Sequence, residues 1–296
     1  MSALTTKETT SSTVSWLRSP QVKAMWLTLI AMLAILVITF PFVWILLSSL
    51  RSVENFLSLD LRDALPRSLD FTSYRLALQR SDLFLWMGNS LFVAVLTTCL
   101  SLLVSAPAAF ALTRLRFRGK DAASIILVLS YAVPSIMLAI PLLVLLVKMR
   151  LNNSFIGLIL VHATFTIPFT SWILQDFYRS IPTDLEEAGY IDGASLVRVL
   201  WHIILPLSIP GLLAAGAYSF ILSWNEFLFA LILLNSYDSF TAPVGVHAYF
   251  TARGADESMW AQLMAASVIV SLPSVLLFAY FQRYLIAGFL KGAVKG

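Results

Sequence analysis

Residues 180–206, SIPTDLEEAGYIDGASLVRVLWHIILP, form a polar segment between two long apolar stretches. The stretch before it contains 25 uncharged residues between Arg150 and Asp176, and the next contains 27 between Arg198 and Glu226. A helix that spans a membrane needs about 20 mostly apolar residues, so both stretches are long enough. The quoted segment therefore connects two predicted membrane spans.

Two short helices are predicted within this segment. Thr183 and Glu186 have the spacing of a capping box, and Gly193 is placed to end the first helix in a left-handed conformation. Pro206 marks the turn into the next span. The second helix has an apolar face of helical period, formed by Leu196, Val199, Leu200, Ile203 and Ile204. The pattern fits either an interfacial helix lying on the membrane or a docking element for a cytoplasmic partner.

Four more uncharged stretches occur along the chain. One contains 27 residues between Lys23 and Arg51, and one contains 31 between Asp82 and Arg114. The other two contain 26 residues between Asp121 and Lys148 and 25 between Glu257 and Arg283. Unpaired backbone groups are costly in hydrocarbon, so such stretches form helices. The alternating segments of about 10 residues that form a transmembrane β-barrel are not seen. The sequence predicts an all-α integral membrane protein with six transmembrane helices.

Composition supports this class, because 59% of the 296 residues are hydrophobic and 12% are charged. So few charges exclude an ordinary soluble enzyme and a disordered chain. Cys99 is the single cysteine, which excludes a disulfide framework and a cysteine-based metal cluster. The first apolar stretch is longer than a signal-peptide core and lacks a convincing cleavage site, so it is interpreted as a permanent anchor. The net charge is +4, and the cationic residues border the predicted spans, where they would contact lipid headgroups. Nucleic-acid binding is therefore not expected.

The positions of lysine and arginine predict the orientation. With the N-terminus in the cytoplasm, 12 of the 20 cationic residues lie on the cytoplasmic side. The densest cluster is at residues 114–120, RLRFRGK. Both termini are therefore predicted to be cytoplasmic.

Three motifs resemble those of bacterial carbohydrate ABC-importer permeases. Glu187-Ala188-Gly189, then Gly193, then Ile203-x-Leu205-Pro206 resembles their cytoplasmic loop pattern E-A-A-x3-G-x9-I-x-L-P, with Gly189 in place of the second alanine. SWNEFLFAL at 223–231 is similar to their fifth helix. The ending QRY at 282–284 with GAVKG at 292–296 is similar to the tail of the maltose-permease-G branch.

The resemblance implies a type I ABC importer permease fold with a cytoplasmic coupling helix, in the bacterial inner membrane. Two homologous permeases would pair, an ATPase dimer would dock beneath them, and an extracytoplasmic solute-binding protein would deliver a sugar or glycoside. ATP and Mg would bind to the ATPase, and no cofactor to this chain. The implied organisation is a flexible cytoplasmic tail (1–23), the first transmembrane helix (24–50), an external loop (51–84), a permease core (85–283) with the coupling loop at 180–206, and a cytoplasmic tail (284–296).

The same resemblance implies roles for particular residues. The residues that would couple to the ATPase are Glu186, Glu187, Ala188, Gly189, Asp192, Gly193, Leu205 and Pro206. The tail residues Ala293, Val294, Lys295 and Gly296 would face the ATPase, unless they form an ordinary frayed terminus. In the outer loop at about 235–260, the candidates for contact with the binding protein are Arg253, Gly254 and Asp256, and the alternative is a solvated loop.

Glu226 is the one formal charge inside a predicted span, and ionisable groups there are expensive. It lies roughly 29 Å along a helix counted from Leu207, near the outer edge. With Trp224 and Asn225 it would line the solute path or the permease interface, or it would simply reach water. His162 and Asn89 are expected to form hydrogen bonds between helices. Kinks are expected at Pro134, Pro141 and Pro168.

No sequence motif for catalysis or metal binding is found. The phosphate-binding pattern G-x-x-x-x-G-K-[ST] is absent, as are H-E-x-x-H and a nucleophile elbow, so ATP hydrolysis is expected on another chain. The alternative function is an ion-coupled secondary carrier, which should show intramembrane ion sites and inverted repeats, and neither is visible. A membrane-embedded enzyme is a weaker alternative, because an acid–base cluster is missing.

Overall fold

The computed structural model describes residues 20–51, 66, 69–253 and 257–293, which contain helices and no β-strand. The helices, in chain order, are α1 (Pro20–Ser49), α2 (Thr72–Arg80), α3 (Leu83–Arg114), α4 (Lys120–Ala132), α5 (Ser135–Lys148), α6 (Phe155–Arg179), α7 (Asp184–Ile191), α8 (Leu196–Leu207), α9 (Ile209–Trp224), α10 (Leu228–Leu233), α11 (Ala242–Arg253) and α12 (Glu257–Ala293).

Six segments account for the predicted spans. Helices α1, α3, α6 and α12 are each long and apolar enough to cross a membrane. The pair α4 and α5 is bent by 101°, and the pair α8 and α9 by 79°; six spans result when each bent pair is counted as one. These positions coincide with the six uncharged stretches of the sequence, so the all-α membrane fold is confirmed, with four to six candidate spans.

Proline explains the first of the two breaks. Val133 has an extended backbone, as expected for a residue before proline, and Pro134 separates α4 from α5. The kink expected at Pro134 is therefore present. Helices α5 and α6 continue through Pro141 and Pro168 respectively, so a helix break occurs at only one of these three prolines.

The second break lies two residues after the predicted position. Pro206 belongs to the last turn of α8, and the chain turns at Ser208 before α9 begins. Within α8, residues Leu200–Ile204 form a π-helical turn. Pro206 lacks a backbone N–H, yet the Ser208 N–H still donates to the Ile204 carbonyl at 2.9 Å, so the helical hydrogen bonding continues past Pro206 and the chain turns at Ser208.

The bundle is centred on α3, α6 and α9, which pack against one another. Helix α4 packs on α6, and α12 packs on α9 and on α1. A buried cluster near the coupling segment includes Leu174, Tyr178, Val199 and Ile204. This cluster joins the ends of α3 and α6 to α8, which positions the segment at 180–206.

Helix α1 presents apolar side chains to its surroundings along most of its length. Leu36 is 64% exposed and Phe42 is 70% exposed. In water such a surface would be unfavourable, but a bilayer solvates it. Its exposure is consistent with a lipid-facing span.

Candidate functional site

The polar segment at 180–206 folds as two helices that meet at a glycine turn. Helix α7 ends in a Schellman motif, because the Gly193 N–H donates to the Tyr190 carbonyl and the Ala194 N–H donates to the Gly189 carbonyl. Gly193 has a φ of +80°, which confirms the predicted left-handed turn.

The predicted capping box is wrong. In the described segment, the Thr183 side chain makes no capping hydrogen bond, and its backbone is already helical. The carboxylate of Glu186 does not return to the start of the helix, because it is drawn into an ion pair with Arg114.

Arg114, the last residue of α3, holds α7 against the bundle. Its Nε donates to Glu186 Oε1 at 2.6 Å. Its Nη2 donates to the carbonyls of Tyr178 and Ile181, each at 2.7 Å. The two charged side chains are 13% and 6% exposed, so the contact is nearly buried. One guanidinium therefore joins α3, the end of α6 and the coupling helix.

The opposite face of the segment is exposed in the described part of the chain. Glu187, Ala188, Asp192, Gly193 and Pro206 are exposed, Leu205 is half-buried, and Glu186 and Gly189 are buried. Large apolar side chains accompany the exposed set: Leu185, Tyr190, Ile191, Val197 and Trp201. Desolvation of its phenol, together with the charge of Glu186, raises the pKa of Tyr190.

Gly189 allows the two helices to approach closely. A Cβ at this position would lie 2.6 Å from Cδ1 of Ile203 on α8. The departure from the family pattern, glycine for alanine, therefore fits a close contact between α7 and α8.

A second polar site lies inside the bundle at Glu226. Its Oε1 accepts from the Phe229 N–H at 2.8 Å, and its Oε2 accepts from the Ala230 N–H at 3.1 Å, so it caps the start of α10. His162 Nε2 lies 3.1 Å from Oε2, and His162 Nδ1 lies 2.7 Å from Ser223 Oγ. The expected interhelical hydrogen bonding of His162 is confirmed.

Trp224 and Asn225 do not share this site. The Trp224 side chain is 2% exposed, and its Nε1 donates to the Val270 carbonyl of α12 at 3.1 Å. Asn225 Nδ2 donates to the Ile221 carbonyl at 2.8 Å. The structure therefore separates Trp224, as a packing residue, from Glu226. Asn89 contacts the loop before α11, where its Nδ2 donates to the Asp238 and Phe240 carbonyls.

A cavity of about 440 Å³ adjoins the Glu226 carboxylate at the break between α4 and α5. We call it the Glu226 cavity. Its wall includes Ser130, Tyr131, His162, Phe165, Glu226 and Phe229. Its volume lies within the range of about 300–1,000 Å³ that small-molecule sites occupy.

The remaining candidates lie at the edge of the described residues. Arg253 is the last residue of α11, and Gly254 and Asp256 lie outside the described residues. Ala293 is the last residue of α12, and Val294, Lys295 and Gly296 also lie outside them. The described part of the chain contains no cluster of three or more His, Cys, Asp or Glu that could hold a metal.

A family model described as the binding-protein-dependent transport system inner membrane component matches residues 101–291. The chain belongs to this family. Its members are membrane permease subunits of ABC importers, in which ATP hydrolysis takes place on a separate subunit. The family assignment from the loop motif is thereby confirmed.

Two relatives match nearly the whole chain. The chain is 32% identical over 282 residues to the trehalose/maltose transport system permease protein MalG of Thermococcus litoralis, which covers 95% of this chain and 100% of that protein. It is 34% identical over 259 residues to the trehalose transport system permease protein SugB of Mycobacterium tuberculosis, which covers 86% of this chain and 92% of that protein.

A solved structure shows the same fold. A chain of a bacterial ABC transporter involved in the import of the acidic polysaccharide alginate matches with a TM-score of 0.78. The match covers 90% of this chain and 98% of that chain at 22% sequence identity. The type I permease fold is therefore shown.

Sequence reasoning missed the role of Arg114, which it treated only as part of the basic cluster at 114–120. Arg114 and Glu186 are 72 residues apart, and no local pattern joins them. The available signal was the position of Arg114 as the first cation after an uncharged span, where it can reach the exposed carbonyls at the end of a neighbouring helix.

Proposed function

We propose that this permease forms one half of the translocation pathway of an ATP-driven importer for a sugar or glycoside. Support for the solute class comes from its relatives, whose names give trehalose and maltose as transported sugars. The observation that carries the coupling role is the burial pattern of the coupling segment, residues 180–206. One face is held against the bundle by Arg114, and the opposite face is exposed.

The free face would dock on the ATPase. Exposed apolar side chains such as Ile191, which is 85% exposed, need a partner or a lipid surface to cover them. Glu187 adds a charge at the same helix, and charges at the edge of an interface favour specific association. Ala188, Asp192 and Gly193 would complete the contact, and the tail residues 293–296 would reach toward the same partner.

The fixed face would transmit motion between the ATPase and the membrane. Because Arg114 ties α7 to both α3 and α6, a displacement of α7 moves the ends of two spans together. A packed element with two discrete positions can carry such coupling. Alternating access would then follow from closure and opening of the ATPase dimer, which binds ATP and Mg²⁺.

The other partners follow from the proposed assembly. A second, homologous permease would complete the pathway, and the extracytoplasmic solute-binding protein would meet the outer loops around Arg253, Gly254 and Asp256. Both termini would be cytoplasmic, because most lysine and arginine residues would then face the cytoplasm.

Co-purification tests the proposal. Glu187→Lys and Gly193→Pro should each reduce recovery of the ATPase with this chain and reduce ATP-dependent sugar uptake. Asp121→Lys is the matched control, because Asp121 is an exposed acidic residue in the first turn of another helix at the proposed cytoplasmic side. It should leave both readouts unchanged.

Two results would overturn the assignment. The first is recovery of the chain without any ATPase after mild detergent extraction, together with uptake driven by an ion gradient, which would favour a secondary carrier. The second is normal uptake and normal ATPase recovery in both Glu187→Lys and Gly193→Pro.

A further inference from the structure

The loop between α10 and α11, residues 234–241, contains a turn of 3-10 helix at Tyr237–Ser239. A loop cannot pair its backbone N–H and C=O groups in a regular ladder, and each group that leaves water without a partner costs free energy. Side chains from two other parts of the chain supply partners for this loop. One set lies on α3, and the other belongs to Asn153 in the turn before α6.

The first set lies on one face near the start of α3. Trp86, Asn89 and Ser90 have the i, i+3, i+4 spacing that places side chains on the same side of a helix. Asn89 Nδ2 donates to the carbonyls of Asp238 and Phe240 at 2.8 and 2.9 Å. Ser90 Oγ accepts from the first N–H of α11 at 2.8 Å, and Trp86 Nε1 donates to the first carbonyl of the 3-10 turn at 3.3 Å. Helix α3 therefore binds the loop and the start of α11.

Asn153 holds the opposite end of the loop. Its Oδ1 accepts from the N–H groups of Asn235 and Ser236 at 2.8 and 3.3 Å. Its Nδ2 donates to the Ser236 hydroxyl oxygen at 2.8 Å, and its backbone N–H donates to the Leu233 carbonyl at the end of α10 at 3.0 Å. The φ of 52° at Asn153 is one that asparagine tolerates better than most residues. The turn before α6 is therefore joined to both α10 and the loop.

The two asparagines act through opposite ends of their amide groups. Asn89 presents N–H donors to carbonyls, whereas Asn153 presents its oxygen to N–H groups, so the partners determine both assignments. An ionised aspartate has oxygen acceptors and no N–H donor. Aspartate can therefore replace Asn153, but at Asn89 it would bring a negative charge against two carbonyl oxygens.

We propose that Asn89 and Asn153 are positioning residues that fix the 234–241 loop to α3 and to the start of α6, so that the loop moves with these two spans during transport. The inference rests on the proposed import function. Arg114, the last residue of α3, binds the coupling helix α7 at the other end of the same span. Helix α3 therefore connects α7 to the loop, and a displacement of α7 reaches the face that the proposed orientation places outside.

Hydrogen exchange of the full chain in lipid nanodiscs tests the role of each asparagine. Asn153→Gly removes the side chain and still adopts positive φ, so exchange at residues 235–236 should rise about tenfold, as expected for the loss of one or two hydrogen bonds. Asn153→Asp keeps the acceptor and should change exchange by less than about twofold. Asn89→Asp and Asn89→Leu both remove the donors, and each should raise exchange at residues 239–242 about tenfold.

A neighbouring asparagine provides the matched control. Asn152 is exposed in the same turn as Asn153, so Asn152→Asp adds the same charge beside the loop and should leave exchange unchanged. Helix α9 serves as the internal reference. Equal responses to aspartate at positions 89 and 153, or unchanged exchange in Asn153→Gly, would overturn the proposal. An equal rise in α9 would show a general loss of stability and would also overturn it.

Electron–electron distance measurements test whether the loop moves with α3. In a Cys99→Ser background, Asp238→Cys carries one nitroxide and Leu103→Cys, on an exposed position of α3, carries the other. Leu103 lies roughly 21 Å along the helix axis from Asn89. The mean distance should be the same in the nucleotide-free importer and in the importer trapped with MgATP and vanadate, and adding Asn89→Leu should broaden its distribution. A mean distance that changes with nucleotide in the protein that retains Asn89 would overturn the proposal.

These readouts separate the inference from the proposed function. Hydrogen exchange requires no ATP hydrolysis, so failure of the ATPase to bind would remove the importer proposal without changing the opposite responses of Asn89→Asp and Asn153→Asp. Conversely, normal ATP-dependent sugar uptake in Asn89→Leu, with unchanged exchange in the loop, would refute the positioning role and leave the importer proposal in place.

Discussion

Replacing Arg114 by alanine should release the coupling helix from the bundle. The substitution removes the ion pair with Glu186 and both hydrogen bonds to the carbonyls of Tyr178 and Ile181. Removal of one member of a buried pair costs about 3–5 kcal/mol, because the remaining charge is left without a partner. Both side chains are slightly exposed, so we expect the lower end, about 3 kcal/mol.

Hydrogen exchange measures this cost directly. About 1.4 kcal/mol corresponds to a tenfold change in an equilibrium, so the undocked population should rise roughly a hundredfold. If the amides of residues 187–194 exchange through local opening, their rates should increase by a similar factor in Arg114→Ala. Mass spectrometry of the importer in nanodiscs would detect this change, with α9 as an internal reference.

Three further variants test whether the loss of the Arg114 contacts causes the faster exchange. Arg116 is exposed in the same basic cluster, and Arg116→Ala should leave exchange unchanged. Arg114→Lys should recover only part of the loss, because an ammonium cannot reproduce the planar fork of a guanidinium. The double variant Arg114→Ala/Glu186→Ala should cost less than the sum of the single variants. An exchange increase below about threefold in Arg114→Ala, or additive single effects, would refute the proposed clamp.

Three other expectations concern local packing and backbone conformation; the first two can be measured as shifts in thermal stability and the third by hydrogen exchange. Gly245 packs against the buried Trp86 indole, so Gly245→Ala should destabilise the protein by about 1–3 kcal/mol. Gly88→Ala is the control, because a Cβ there meets nothing within 4 Å, and it should not destabilise the protein. Equal effects of the two substitutions would contradict the packing argument. Asn153 has a φ of 52°, and its Oδ1 accepts from the Asn235 and Ser236 N–H groups. Both Asn153→Gly and Asn153→Ala lose these hydrogen bonds, but glycine adopts positive φ without strain, so Asn153→Gly should be less destabilising by about 1 kcal/mol. The reverse order would show that backbone strain is unimportant at this position. Gly193→Ala should loosen the end of α7 by about 1 kcal/mol, seen as faster exchange at 192–194, and unchanged exchange would count against the left-handed turn.

The features that could be predicted from the sequence are local. The spans follow from uninterrupted apolar composition, which determines where a chain can enter a bilayer whatever its neighbours are. The turn at Gly193 is equally local, because it depends on the freedom of one residue to adopt positive φ. The family assignment also rests on spacing within one segment.

The errors arose where a side chain had a choice of partners. Glu186 was expected to cap its own helix, which local spacing allows, but Arg114 offers a charged donor that the spacing does not reveal. The sequence places Trp224 beside Glu226, and their candidate roles at the solute path or permease interface stay predictions. The end of α9 turns them to different sides, one toward α12 and the other toward His162.

Sequence alone therefore determined the class, the spans, the turn and the family, since each is a property of a continuous stretch of chain. Only the tertiary structure decided which charges are paired and which face of the coupling segment is free. Arg114 with Glu186, and His162 with Glu226, are 72 and 64 residues apart. Their pairing depends on how α3, α6 and α9 pack, because a buried charge takes the partner that the folded bundle places within reach.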